Sequence, residues 1–76
     1  MEVLVDARGL LCPVPLLRAR AALADAGASD VIVVLATDRE APIDLAALAA
    51  DVGRGCAVTS ADGVWRIELG ALAADQ

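Results

Sequence analysis

"VIVVLAT", residues 31–37, decides the fold. It is almost wholly apolar and mostly β-branched. A short run of this kind, bounded by polar residues, reads as a strand buried in the middle of a sheet. Successive side chains point to opposite faces, so Val31, Val33 and Leu35 lie on one side and Ile32, Val34 and Ala36 on the other. Such a strand needs neighbours on its edges and cover on its faces, and the flanking sequence supplies both.

Upstream, "PVPLLRARAALADA" (13–26) reads as a helix. Proline is tolerated in a first helical turn, and Gly27 is a natural stop. Before it, "VLVDA" (3–7) reads as a short strand and "RGLL" as a loop in which Gly9 supplies backbone freedom. A strand–helix–strand crossover is right-handed, which makes the first two strands parallel. Downstream, "DREAPI" reads as a loop. "DLAALAADVG" (44–53) then places Leu45, Leu48, Ala49 and Val52 on one helical face, with Asp44 as N-cap and Gly53 as the closing residue. "CAVTSADGVWRIEL" (56–69) reads as a hairpin. Asp62-Gly63 suits a two-residue type I′ turn, which sets Ser60 opposite Trp65, Val58 opposite Ile67 and Cys56 opposite Leu69. Trp65, Ile67 and Leu69 alternate with Arg66 and Glu68, so the apolar set faces inward. The predicted order is β-α-β-α-β-β: an α+β fold with two helices on one face of a four-stranded mixed sheet.

The two-sided apolarity of 31–37 leaves one matter open. A sheet with one solvated face normally alternates apolar and polar residues. The uncovered face is either met by a partner, a second copy or a loop, or shielded by the long stems of Arg66 and Glu68.

At 76 residues the chain is expected to form one domain, 1–76. A chain of this size buries only about 60% of its unfolded surface. The formal charge of −5 argues against a direct nucleic-acid partner. All six basic residues are arginine, which excludes lysine Schiff bases and P-loop chemistry; no histidine is present, which removes the usual general base. Neither a basic, apolar leader nor an apolar run near 20 residues is seen, so a cytoplasmic protein with no membrane contact and reduced thiols is expected.

"GLLCPVP" (9–15) carries the chemistry. Cys12 sits where the first strand hands over to the first helix. Unpaired N–H groups and the helix dipole make that point electropositive, which pushes a thiol toward thiolate, its reactive form. Arg8, Arg18 and Arg20 are close enough in sequence to add positive potential. The helix begins either at Pro13 or at Pro15, because Pro15 disfavours helical geometry at Val14. The competing reading is a small buried apolar cysteine.

"DARGLLCPVPLLRARAAL" strongly resembles the N-terminal signature of the TusA family of sulfur carriers, also called SirA-like, whose core is Cys-Pro-x-Pro after a Gly-Leu pair. "TDREAPIDLAAL" is similar to the family's Asp followed six residues later by a second Asp, and "GC…DGVWRIEL" to its closing hairpin. The helix after the motif carries arginine where members often carry lysine, and Ala46 stands where they often carry proline. The resemblance implies a two-layer sandwich and a persulfide on Cys12. It implies a sulfur-donor protein, such as a cysteine desulfurase or a rhodanese-like protein, and a downstream acceptor protein. It implies no cofactor and no metal. Gly9, Leu10, Pro13 and Pro15 are then expected to shape the site. A monomer or weak dimer suffices.

Other residues read as structural. Cys56 is expected in the core opposite Leu69, at the end of the sheet away from Cys12 if the third strand runs parallel to the first two. Two cysteines 44 positions apart without histidine are too few for zinc. Asp38, at the end of the second strand, falls on the same side as Cys12 and either shapes the site or caps the loop; Asp6 is similar. Trp65 reads as core. Ser29 and Ser60 have no base, which excludes a hydrolase triad.

Overall fold

In a computed structural model, which describes residues 1–72, the elements are β1 (Glu2–Ala7), α1 (Val14–Asp25), β2 (Val31–Ala36), α2 (Ala41–Asp51), β3 (Arg54–Ala61) and β4 (Val64–Leu72). The sheet order is β1-β2-β4-β3. β1 and β2 are parallel, and β4 is antiparallel to both β2 and β3. β3 therefore runs in the same sense as β1 and β2.

The β-branched run 31–36 takes the centre as its composition demands. Ile32, Val34 and Ala36 are fully buried under the helices, with Ala7, Ile67 and Leu69 from neighbouring strands and Ala19, Leu45, Leu48 and Ala49 from above. Both helices pack on this face, giving two layers. Trp65 packs partly buried against the same cluster. The hairpin has the expected register: Ser60 pairs with Trp65, Val58 with Ile67 and Cys56 with Leu69. Asp62 (φ 55°) and Gly63 (φ 78°) both take the left-handed backbone that a type I′ turn requires.

Three expectations are corrected. First, α2 begins at Ala41, three residues before Asp44. Its start is organised by Asp38: Oδ1 accepts the Glu40 N–H at 2.7 Å and the Asp38 carbonyl accepts the Ala41 N–H at 3.1 Å. Pro42 is accommodated in the first turn, where no N–H partner is needed. Asp44 thus lies inside the first turn rather than capping it, and Val52, at the other end, is 38% exposed. Second, α1 begins at Val14, between the two proposed starts, with Pro13 as N-cap. Third, Cys56 faces the inner side but is exposed. β3 is an edge strand that two helices do not fully cover; Val58 on the same face is 40% exposed.

The open face has its own cover. Val33 points away from the helices yet is only 2% exposed. Arg66 on β4 reaches Glu2 on β1 (3.4 Å), so its stem crosses β2, and it also lies 4.0 Å from Glu68. This is the arrangement expected if long polar stems shield the strand.

The far end of the sheet holds a feature the sequence reading did not single out. Arg54 is buried, and its guanidinium donates to the carbonyls of Asp30, Gly70 (2.9 Å) and Gly27 (3.0 Å). A buried charge survives where each donor has a partner, and here three segments are joined through one side chain. A register shift in β3 lies between Arg54 and Cys56.

Candidate functional site

The site lies at the end of the sheet where β1 and β2 finish. Ala7 is fully buried and anchors the end of β1. The chain then turns through Gly9, whose φ of 79° is costly for any residue with a Cβ. The Gly9 N–H donates to Thr37 Oγ1 at 2.9 Å and the Leu10 N–H to the Ala7 carbonyl at 3.2 Å, tying the loop to both parallel strands. Leu10 packs against the core, whereas Leu11 is 74% exposed. Pro15, in the first turn of α1, is fully buried and belongs to the core as much as to the site, while Pro13 is exposed and joined to Cys12 by a cis peptide bond.

Cys12 is an exposed free thiol. Its backbone N–H donates to Asp38 Oδ2 at 2.7 Å. Asp38 therefore performs two tasks with one carboxylate: it clamps the cysteine backbone and organises the start of α2. The N–H of Glu40 first, and then that of Cys12, hold its carboxyl below the usual carboxylate range. Of the two readings of Asp38, the geometry joins both.

The electrostatics of the sulfur run opposite to expectation. The Cys12 thiol donates to Asp44 Oδ2 at 3.3 Å. This hydrogen bond is the main cause that pushes the thiol up from its ordinary value, followed by desolvation and by the negative charges of Asp44, Asp38 and Glu40. The helix start does not act as predicted, because its donors are directed elsewhere. The Val14 N–H bonds the Leu11 carbonyl at 2.9 Å, and the Cys12 N–H is taken by Asp38. The arginines do not compensate. Arg8 is bound to Asp6 through two side-chain contacts, 2.8 and 2.7 Å, and in turn holds the Asp6 carboxyl down at about 2. Among the described residues, neither Arg18 nor Arg20 forms an ion pair. Arg20 instead lines a shallow cleft of about 140 Å³ between the helices, with Leu16, Asp44, Ala47, Leu48 and Asp51.

Sequence reasoning thus placed Cys12, Gly9, Leu10, Pro13 and Asp38 at one end of the sheet but missed Asp44, Glu40 and Thr37. The two aspartates six apart were a signal; reading Asp44 as the N-cap of the second helix hid its reach to the sulfur. Cys56 starts near the opposite end, and partial desolvation of its sulfur raises its thiol as well. Among the described residues no cluster of three or more metal-ligating side chains occurs, and no helix is long and apolar enough to cross a membrane.

Fold and site together define a small α+β domain that presents one thiol, with its backbone clamped, at a loop-to-helix junction. The chain belongs to the TusA family: the family model described as sulfurtransferase TusA matches residues 3–70. Among relatives, a "Putative sulfur carrier protein" of Neisseria meningitidis serogroup A is 49% identical over 49 residues, 64% of this chain and 66% of that protein. The "Putative sulfur carrier protein YrkF" of Bacillus subtilis is 34% identical over 61 residues, 80% of this chain and 33% of that protein. The matches thus span just under two thirds of the Neisseria relative and one third of the Bacillus one. The crystal structure of a SirA-like protein from Desulfitobacterium hafniense superposes with a TM-score of 0.85 at 31% identity, covering 96% of this chain and 100% of the other.

Proposed function

We propose that the protein is a sulfur carrier that accepts sulfane sulfur as a persulfide on Cys12 and passes it to an acceptor protein. The observation that carries this reading is an exposed thiol on a backbone fixed by Asp38 at 2.7 Å, in a chain of this family. In the loading step the Cys12 thiolate attacks the outer sulfur of a donor persulfide. The new S–S bond forms on Cys12, the donor S–S bond breaks, and the donor cysteine leaves as a thiolate. In the unloading step an acceptor thiolate attacks the outer sulfur on Cys12, and Cys12 leaves as a thiolate. Neither step has net oxidation, and neither requires a metal, a cofactor or a histidine. Donors of the desulfurase or rhodanese-like class and a relay acceptor protein fit this chemistry, as does a cytoplasmic setting that keeps two exposed thiols reduced.

A second reading is a regulatory or protein-binding module of the same fold. One observation favours it: the resting thiol is held protonated rather than activated. Intact-mass measurement after incubation with a cysteine desulfurase and cysteine separates the two. Gain of one sulfur, absent in Cys12→Ser, is expected. No gain with either donor class, together with tight partner binding by Cys12→Ser, would establish the second reading instead.

A further inference from the structure

We propose that Asp44 is a positioning residue for Cys12, holding the sulfur through its hydrogen, and that the protein exchanging sulfur with Cys12 meets this acidic rim with a cationic surface. The identity of that partner rests on the sulfur-carrier reading; the action of Asp44 on the thiol does not.

The contact is the Sγ to Oδ2 hydrogen bond at 3.3 Å, made across 32 residues of sequence from the first turn of α2. Two further carboxylates, Asp38 and Glu40, bear on the same sulfur from the segment that leads into α2. The nearby cations are otherwise placed. Arg39 acts on Asp38, Arg8 is paired with Asp6, and Arg20 of α1 lies beside Asp44 and Asp51 in the cleft between the helices. The local balance around the sulfur is therefore negative. A carboxylate that accepts the S–H stabilises the thiol, and its charge repels the thiolate that must form before attack. A partner that brings positive charge relieves both effects at the moment of docking. Such a surface also gains rate through electrostatic steering, and an acidic partner is rejected. Leu11 (74% exposed) and Ile43 (66% exposed), next in sequence to Cys12 and Asp44, give the partner apolar surface to cover.

Small disulfides test this without any partner protein. In Cys56→Ser protein, the Cys12 thiolate attacks one sulfur of a disulfide, a mixed disulfide forms, and the other half leaves as a thiolate protonated by solvent. Rates are measured against pH with cationic cystamine and anionic 3,3′-dithiodipropionate. Each rate is scaled to that of a small neutral thiol with the same reagent, which removes the difference in leaving-group acidity; on that scale the cationic reagent should react faster by about tenfold at low salt, and the ratio should shrink with added salt. Asp44→Asn should lower the pH midpoint of exchange by about one unit and reduce the charge preference. Asp51→Asn, on the same helix, should leave both unchanged. If Asp44→Asn does not fold, Asp44→Ser is read the same way. Equal rates for the two reagents, or an unmoved midpoint in the Asp44 variant, overturn the proposal. Sulfur gain by mass is scored separately: its loss with the expected midpoints overturns the carrier reading alone, and its retention with unmoved midpoints overturns the role of Asp44 alone.

Discussion

The two ends of the sheet handle charge in opposite ways. At the Arg54 end, a buried cation directs its donors to three carbonyls, two in the loop between α1 and β2 and one in β4. At the Cys12 end, carboxylates gather around an exposed thiol, and the sheet finishes in loops tied by single hydrogen bonds. One end fixes the fold; the other keeps a reactive atom available. The difference teaches where mutation should affect stability and where it should affect chemistry, and it can be broken in graded steps.

The largest effect is expected from Arg54→Ala. It removes three hydrogen bonds from a buried guanidinium to part-buried carbonyls, and bonds to a charged group contribute about 1.5–3 kcal/mol each before water replaces the partner. We expect a net loss of about 2–4 kcal/mol and a thermal midpoint lower by roughly 10–25 °C, at ~4–8 °C per kcal/mol for a domain this small. Cys12 alkylation in the folded protein should not change. A normal melting curve would show that this end is not the anchor.

Next comes Pro15→Ala. Pro15 is fully buried, so the change removes ring carbons from the core and loosens the unfolded chain, a cost of about 2 kcal/mol. Pro13→Ala, at an exposed position, should slow sulfur transfer. An unchanged melting curve in Pro15→Ala would show that its ring is not part of the core.

The third test sets the two thiols against each other. Both are exposed, and both are pushed up, Cys12 by Asp44 and Cys56 by desolvation. Brief iodoacetamide treatment near neutral pH should therefore label both slowly, within a few-fold of one another, as peptide mapping would read. Asp44→Asn should make Cys12 clearly the faster. A wild-type Cys12 that is far faster would mean the acidic rim does not restrain it.

The smallest effect concerns acid. The Asp38 carboxyl is depressed in the folded state, so its contribution is in full above the unfolded value near ~4 and is lost as pH falls through the folded one. Asp6 and Asp30 behave alike, the former down to about 2. Melting midpoints measured between pH 6 and 2 should fall on this limb, and Asp38→Asn should flatten it slightly. An unchanged slope would remove Asp38 as a clamp on the Cys12 backbone.

What the sequence disclosed follows from the range of the interactions. The hairpin register was legible because Asp62-Gly63 and the alternation of Trp65, Ile67 and Leu69 act between near neighbours. The element order and the place of Cys12 were legible for the same reason. The exposure of Cys56 was not, because it depends on β3 taking the outer edge, which no local pattern specifies. The start of α2 was hidden because Asp38 organises it from outside the helix. The thiol's environment was misjudged because Asp44 reaches it from 32 residues away, while the helix-start donors that were meant to polarise it bond to other groups. Arg54 passed unnoticed because a lone arginine at the start of a strand carries no mark of burial.

Arg66, lying across β2 between Glu2 and Glu68, gives the open face a roof that is ionic rather than packed. Its integrity depends on solution conditions. Salt screens the two exposed ion pairs, and acid discharges the glutamates that hold the guanidinium in place. Val33 and the already exposed Leu4 then form one apolar strip on the outer side of β1 and β2. The wettability of this face thus depends on the ionic medium. Light scattering should rise with salt in Arg66→Ala less than in the wild type, because the variant has no roof left to lose.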